Sequence, residues 1–251
     1  MSIKTLAIKV QTRNHIKVVE EFLKAKLKGL RVKTQILGTN QNGWVQTSIS
    51  GEDEDVALRY INEEIGTCPE NIESIKKFDT LKGYITALNK IEILLDVGID
   101  SQLNVKAVIS LSHLQAQLAD GRKVALKKVG DLYGFCENLP LIVKAYSIAR
   151  EEAKIEVILS ENQLKRYKRW TESLLERLIV LGATREEIMH SLKTIKCTRD
   201  IIDIESLGLF ENAVTCKLGT NAAGLIPKIG KKLPNAKLTV FSPAEILEFL
   251  R

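Results

Sequence analysis

The chain has 251 residues, 45% of them apolar, and its mean hydropathy of −0.03 is close to neutral. A chain of this kind can bury one large core or two to three smaller ones. It contains no apolar run near the ~20 residues that span a bilayer. No signal-peptide core follows Met1, so we expect no membrane contact and a cytoplasmic location.

Charge is segregated along the chain rather than evenly spread. The formal net charge is +6 and the sequence pI is about 9.0. The net charge is +7 over residues 1–50, −6 over 51–79, zero over 80–161 and +5 over 162–251. This segregation favours a polyanionic partner such as RNA, although solvated lysine-rich helices produce the same pattern.

The residues that usually carry chemistry are scattered. The cysteines form no Cys-x-x-Cys pair and the histidines have no neighbouring ligand. We therefore expect the protein to bind no metal and no cofactor and to have no enzymatic activity. Reduced, buried thiols are the ordinary explanation in a reducing compartment. The residues concerned are Cys68, Cys136, Cys197, Cys216, His15, His113 and His190.

Residues 1–78 predict an N-terminal α/β domain of β-α-β-β-α order. A strand is predicted over residues 5–10, a helix with Asn14 as its N-cap follows, and residues 38–43 form a hairpin turn. The acidic residues 52–55 open a second helix, because negative charge complements a helix N-terminus. A closing strand would complete a ferredoxin-like domain.

Residues 79–161 predict a small barrel. Five strands with short helical segments between the third and the fourth are the layout of a Greek-key barrel of the OB type. The predicted strands cover residues 83–88, 91–97, 105–111, 139–148 and 153–159, and the helical segments cover 112–118 and 124–132.

Residues 162–251 predict a linker helix and a second ferredoxin-like domain of β-α-β-β-α-β order. Thr184 caps its first helix with Glu187 as the capping-box partner. The predicted strands cover residues 178–181, 201–204, 213–218 and 237–241, and a second, short helix covers 225–233. The fold class is therefore α+β, with an OB-like barrel between two ferredoxin-like domains.

The central segment resembles the RNA-binding OB domain named after ribosomal protein S-one. The motifs that carry the resemblance are Gly83, Asp96-Val97-Gly98, Ser110-Leu111-Ser112-x-Leu114 and Ile155-x-Val157-x-Leu159-Ser160.

That resemblance implies that single-stranded RNA binds on aromatic and basic residues of the barrel surface. This sequence departs from the family pattern, because the stacking aromatic falls on Leu94 and the strand-three histidine falls on Ser110. The nearest rings are Tyr84 and His113, so we expect most of the stacking affinity to be lost. Tyr84, Ser110 and His113 are the binding residues that the resemblance implies.

The whole chain also resembles an archaeal family known as domain of unknown function 2110. The family has no established activity to carry over. It implies an archaeal cytosolic protein with a role in information processing. The matching stretches are Gly43-Trp44-Val45, Leu181-Gly182-Ala183-Thr184-Arg185, Arg199-Asp200-Ile201, Leu207-Gly208-Leu209 and residues 216–227.

The strongest candidate site is the stretch 217–232, where a strand ends on a lysine and a Gly/Thr/Asn loop leads into a lysine-bearing helix. Backbone N–H groups and positive charge would meet there, which suits a phosphate. Gly219 and Gly224 have P-loop spacing, but Leu225-Ile226 replaces the required Lys-Ser/Thr, which excludes nucleotide hydrolysis. A capped helix with a solvated basic face explains the pattern equally well. The candidate residues are Lys217, Thr220, Asn221, Lys228, Lys231, Lys232 and Lys237.

A second cationic stretch, residues 165–170, interleaves with aromatic residues on the expected linker helix. On RNA, the cations would follow the backbone while Tyr167 or Trp170 stacks on a base. A linker helix whose aromatic residues anchor it between domains explains the sequence at least as well. The cations are Lys165, Arg166, Lys168 and Arg169.

These features predict a non-catalytic RNA-binding protein attached to the translation or transcription machinery, with the ribosome or RNA polymerase as a larger partner. Affinity from lysine–phosphate contacts would be weakly sequence-selective and would weaken steeply with salt. The alternative is a protein adaptor that docks on a ribosomal or RNA polymerase subunit without touching RNA.

Overall fold

The computed structural model describes residues 2–99 and 105–251. It has the predicted α+β architecture, in which a closed five-stranded barrel stands in sequence between two sheets that carry helices. Within the described ranges, no helix is both long enough and apolar enough to cross a bilayer. The chain forms two compact units, the first from Met1–Ile75 and Val97–Val105 and the second from Lys76–Asp96 and Lys106–Arg251.

The first unit contains the predicted β-α-β-β-α order. Its elements are β1 (Ser2–Lys9), α1 (Arg13–Lys26), β2 (Val32–Thr39), β3 (Trp44–Gly51) and α2 (Glu54–Glu64). The strands form an antiparallel sheet of order β1-β3-β2. At the free edge of β1, the expected closing strand is reduced to a single antiparallel bridge between Leu6 and Thr67.

The predicted start of α1 was wrong by two residues. Thr12, rather than Asn14, occupies the N-cap position, and its side chain makes no capping hydrogen bond. The buried face of the helix consists of His15, Val19 and Leu23 at four-residue spacing. The position of the helix therefore follows from burial of this face rather than from capping chemistry.

Gly98 belongs to the first unit and is needed there for close packing. Its φ of +77° is left-handed, and a Cβ atom at this position would collide with the side chain of Cys68 and lie 3.0 Å from Trp44. Only glycine meets both conditions without strain. The Asp96-Val97-Gly98 motif thus ends a strand, as expected, and its glycine also lets the backbone approach Cys68.

The barrel confirms all five predicted strands. They are β4 (Thr80–Leu88), β5 (Glu92–Asp96), β6 (Lys106–Ser110), β7 (Pro140–Ala149) and β8 (Lys154–Leu159). The closed order is β4-β5-β6-β8-β7, with β6 and β8 parallel and the other pairs antiparallel. Two helices, α3 (Leu111–Leu118) and α4 (Leu126–Tyr133), fall between the third and fourth strands. This is the layout of an OB-like barrel.

The linker helix and the third sheet also follow the prediction. The elements are α5 (Glu161–Glu172), β9 (Arg177–Leu181), α6 (Arg185–Thr194), β10 (Ile201–Ser206), β11 (Glu211–Cys216), α7 (Ile226–Gly230), β12 (Lys237–Phe241) and α8 (Pro243–Leu250). The antiparallel order β10-β11-β9-β12 is that of a ferredoxin-like domain. The capping box of Thr184 and Glu187 is present. Helix α8 was not predicted.

The two faces of this sheet are buried by different partners. Alternate residues of β9, Leu178 and Val180, pack with Ile188 of α6 and Ile229 of α7. The residues between them point the other way, as period-two alternation requires. Every residue of β9 and of β11 is buried, so both faces of the sheet centre are covered.

An aromatic cluster covers the second face. Phe241 of β12 stacks on Tyr167 of α5, with centroids 6.0 Å apart and planes 7° apart. The rings of Trp170 and Tyr133 meet it edge-on at 5.1 and 6.0 Å. Such pairs contribute about 0.5–1.5 kcal/mol each beyond burial of their area. The barrel helix α4, the linker helix α5 and the last strand are thereby joined.

Phe241→Ala should destabilise the protein by about 3–5 kcal/mol, because it leaves a cavity among buried rings. Urea unfolding measures the free energy of unfolding directly. Leu218→Ala is the control, since that side chain is 80% exposed and its loss should change the free energy by less than about 0.5 kcal/mol. Equal stability of Phe241→Ala and wild type would contradict a structural role for the cluster.

Candidate nucleic-acid interface

Ser110 and His113, two predicted site residues, lie together where β6 runs into α3. The Ser110 hydroxyl caps the helix by accepting a hydrogen bond from the His113 backbone N–H at 3.4 Å. It also lies 2.9 Å from the Ser112 hydroxyl. The cap fixes the direction in which α3 leaves the barrel, and with it the position of His113.

The His113 ring contacts an aromatic residue that the sequence analysis did not select. Its edge meets the Tyr146 ring with centroids 4.9 Å apart and planes 69° apart. His113 Nδ1 is 3.6 Å from Glu156 Oε1, beyond hydrogen-bond distance, and has no hydrogen-bond partner among the residues that the structure describes. His113, Tyr146 and Glu156 therefore form one group on the barrel surface.

Tyr146 is placed by a β-bulge in β7. Ala145 pairs with Val157 and Ser147 pairs with Glu156, so Tyr146 is the extra residue between consecutive pairs. Its side chain is 42% exposed. Bulges redirect side chains and often lie beside functional sites.

Phe78 lies beside the same part of β7 in an unusual conformation. Its φ is +71° and its side chain is 56% exposed. The Phe78 N–H donates to the Ala145 carbonyl at 2.7 Å, and the Ala145 N–H donates to the Asp79 carbonyl at 2.9 Å. Lys77 Nζ lies 5.1 Å from the Phe78 ring and 5.6 Å from the Tyr146 ring. Two exposed rings thus share one ammonium group.

Two sequence signals pointed to these rings. Tyr146 is an aromatic residue on the outward face of a predicted strand, and Phe78 is a lone aromatic among charged residues in Lys76-Lys77-Phe78-Asp79. Their proximity could not be foreseen, because it depends on the pairing of the turn with β7.

Leu94 occupies the position at which the OB family has a stacking aromatic residue. Leu94 lies on β5 opposite Val108 and is partly exposed between buried neighbours. It offers an aliphatic surface where the OB family has a ring.

Tyr84 lies away from the surface. It is 1% exposed, and its hydroxyl donates to Glu211 Oε2 at 3.2 Å. A base cannot reach a ring so deeply buried. Burial raises the pKa of Glu211 to about 7, against the opposing effects of Lys82 and of the hydrogen bond from Tyr84.

On α5, the two aromatic residues are buried and both arginines are paired with a glutamate. Tyr167 and Trp170 belong to the aromatic cluster, as the anchoring interpretation expected. Glu205 of β10 lies 3.3 Å from Arg166 and 2.8 Å from Arg169, and also accepts from the Trp170 indole N–H at 2.9 Å. Lys165 and Lys168 are exposed, and Lys168 lies 3.8 Å from Glu172. The helix offers exposed cations but no free ring.

The loop after β11 already has internal acceptors for part of its backbone. The Ala222 N–H donates to Glu176 Oε2 at 2.6 Å, and the Gly224 N–H donates to the Asn221 side chain at 3.0 Å. Thr220 donates its N–H to the Lys217 carbonyl at 2.9 Å. Lysine side chains therefore remain the main means by which this loop could hold an anion.

Residues 217–244 contain five lysines and no acidic residue. Lys237 lies 3.3 Å from Glu137. Within residues 2–99 and 105–251, no carboxylate lies within 4.0 Å of the ammonium groups of the other four lysines. These are exposed and are Lys217, Lys228, Lys231 and Lys232. We refer to these four as the C-terminal lysine group.

The centre of the third sheet is not a binding surface. RRM modules, which also have a four-stranded sheet, stack RNA bases on an exposed sheet face. Here β9 and β11 are buried throughout. The middle of this sheet is therefore closed to a ligand, whereas the C-terminal lysine group lies outside it.

Three family models match the chain in order. The DUF2110 N-terminal domain matches residues 5–71, the DUF2110 central domain 75–171 and the DUF2110 C-terminal domain 175–241. The chain belongs to the DUF2110 family. The resemblance of the whole chain to this family is confirmed. No curated protein matches the chain significantly.

The chain is also similar to several solved structures. An uncharacterized protein from Methanocaldococcus jannaschii is 14% identical, with 35% of this chain and 96% of that chain covered and a TM-score of 0.24. A complex of a/eIF2alpha, aDim2p and rRNA from Pyrococcus horikoshii OT3 is 8% identical, with 51% of this chain and 70% of that chain covered and a TM-score of 0.27. The intact alpha subunit of aIF2 from Pyrococcus abyssi is 8% identical, with 67% of this chain and 98% of that chain covered and a TM-score of 0.28.

The DUF2110 domains divide the candidate residues into two sets. The central match starts at residue 75 and so includes Lys77 and Phe78 together with His113 and Tyr146. The C-terminal match contains the C-terminal lysine group.

Glu211→Gln should remove a pH dependence of stability. An unfolded glutamate has a pKa of about 4.3, so the raised pKa means that the folded protein binds this proton more tightly. The resulting stabilisation is complete below the unfolded pKa and is lost as pH rises through about 7. From about pH 5 to about pH 7, the free energy of unfolding of wild type should fall relative to Glu211→Gln by up to about 1.4 kcal/mol per pH unit. Urea unfolding across this range measures it, and parallel curves for the two proteins would contradict the assignment.

Proposed function

We propose that this DUF2110 protein is a non-catalytic RNA-binding protein that holds RNA mainly by phosphate contacts. The observation that carries the proposal is the C-terminal lysine group, exposed and without a carboxylate within 4.0 Å among the described residues. Lysines in such a setting keep their full charge available to a polyanion. Binding of this kind is weakly sequence-selective and depends steeply on salt.

The central barrel supports the same proposal. Its strand order and inserted helices are those of OB-like barrels, which commonly bind oligonucleotides. The barrel motifs resemble those of the S-one OB domain. Because this support is an analogy of fold, it favours RNA without naming which RNA. We further propose that the protein acts with the translation or transcription machinery.

The second candidate function is a protein adaptor on a ribosomal or RNA polymerase subunit. A groove of about 480 Å³ favours it, because part of its lining is apolar or aromatic. This part consists of Leu164 and Tyr167 of α5 and Ile246 and Leu250 of α8, and charged residues such as Lys165 and Glu172 line the rest. Groove linings with apolar and aromatic side chains suit protein partners. Association that survives nuclease treatment would favour this candidate.

Lys231→Glu/Lys232→Glu should weaken RNA binding and reduce its salt dependence. Each phosphate contact on a single strand contributes about 0.7 to the slope of log K against log salt, so loss of two should lower the slope by about 1.4. Fluorescence anisotropy of a labelled RNA from low to high salt measures both quantities.

The matched control is Lys26→Glu/Lys28→Glu, which changes the net charge equally at exposed lysines of the first unit. We expect it to leave the slope nearly unchanged. Equal effects of the two double variants would show only a general charge effect, and wild-type affinity that is insensitive to salt would contradict the proposal.

A further inference from the structure

Phe78, Tyr146 and Lys77 form a site separate from the C-terminal lysine group, to which the proposed phosphate contacts belong. We propose that Phe78 and Tyr146 are a stacking site for unpaired nucleobases, with Lys77 contacting the adjoining phosphate. The inference rests on the proposed function and adds the class of ligand, which is single-stranded RNA.

The backbone conformation of the turn holds the Phe78 side chain in its exposed position. A φ of +71° is rare for an aromatic residue and costs conformational energy. The hydrogen bonds that join Phe78 and Asp79 to Ala145 hold the turn in place. A strained residue that also exposes a large ring is typical of a binding site.

The exposure of Tyr146 has a separate structural cause. The bulge in β7 inserts Tyr146 between the pairs made by Ala145 and Ser147. His113 then braces the ring edge-on, and Ser110 holds His113 through the helix cap. Two independent backbone irregularities, a left-handed residue and a bulge, thus bring two rings to one place.

Lys77 supplies the charge that a nucleotide requires. Its ammonium group lies within 6 Å of both ring centroids, a cation–π arrangement. The lysine stem is flexible, so a base that stacks on either ring can displace the ammonium group toward its own phosphate. Base–aromatic stacking tolerates any base, because every base has a π face.

The surroundings favour a nucleobase over a protein side chain. Anchors of protein interfaces lie in apolar pockets from which water is excluded. Here the rings lie beside charged groups: Lys77 is near both rings, and the partly exposed Glu156 is near the His113 that contacts Tyr146. Separate rings with a shared cation suit a chain that alternates flat bases and phosphates.

The ligand must be single-stranded. Bases in a duplex stack on each other and offer no free face to a protein ring. The C-terminal lysine group, in contrast, can contact the phosphates of either form. The two modes of binding can therefore be measured separately.

The experiment uses the full chain and three labelled probes in fluorescence anisotropy. These are a single-stranded RNA of about 12 nucleotides, within the span of OB-type sites, the same RNA as a duplex, and a ribose-phosphate chain of the same length without bases. The ring-removing variants are Phe78→Asn, in which asparagine tolerates a positive φ, and Tyr146→Leu. Thermal melting establishes that each variant is folded.

We expect each ring-removing variant to bind the single strand about 5- to 150-fold more weakly and the baseless chain as tightly as wild type does. Leu174→Asn is the matched control, because Leu174 is 57% exposed with a φ of +57° but carries no ring. Tyr146→Phe retains the ring. Neither control should change affinity for the single strand.

Single-strand affinity that is unchanged in Phe78→Asn and Tyr146→Leu but lowered in Lys231→Glu/Lys232→Glu would overturn the stacking site and leave the proposed function intact. If wild type bound none of the probes at low salt, both would fall. A protein captured from nuclease-treated extract and lost in Phe78→Asn, with RNA affinity unchanged, would also overturn the stacking site in favour of a protein ligand.

Discussion

The second unit depends on the packing of Phe241 against rings from α4 and α5. Because this cluster covers one face of the third sheet while α6 and α7 cover the other, the sheet cannot present bases with an open surface. The C-terminal lysine group lies outside this sheet, in the loop after β11, in α7 and directly after α7. The same interaction that joins barrel and sheet thus leaves only side chains outside the sheet centre available for the proposed binding.

The barrel shows how a site can arise from departures from regular structure. A regular β7 would pair Tyr146 with a residue of β8. At position 78, glycine would adopt the left-handed conformation without strain, but the residue is a phenylalanine. The bulge and the left-handed turn meet at Ala145, whose backbone binds the turn on both sides. An OB-like barrel that lacks the stacking ring at Leu94 has rings at another place on its surface.

For much of the candidate interface, the sequence predicted which types of residue are present but not whether they are exposed or paired. The lysines of residues 217–237 were evident, because a stretch without acids is visible in the sequence. Tyr84 was placed at the interface as one of the rings nearest the missing stacking aromatic, but it is buried with Glu211, a residue 127 positions away. Arg166 and Arg169 were expected to meet RNA, yet both face Glu205. Partners so distant in sequence leave no local pattern.

The sequence by itself determined the order of helices and strands from β1 to β12, the barrel strands and the capping box of Thr184 and Glu187, because periodicity and capping act between near neighbours. Tertiary structure alone decided which rings are buried, which cations are paired and where Phe78 meets Tyr146. The physical reason is that burial and pairing depend on distances between segments far apart in the chain. Such distances are fixed only when the strands close into a barrel and the aromatic cluster forms.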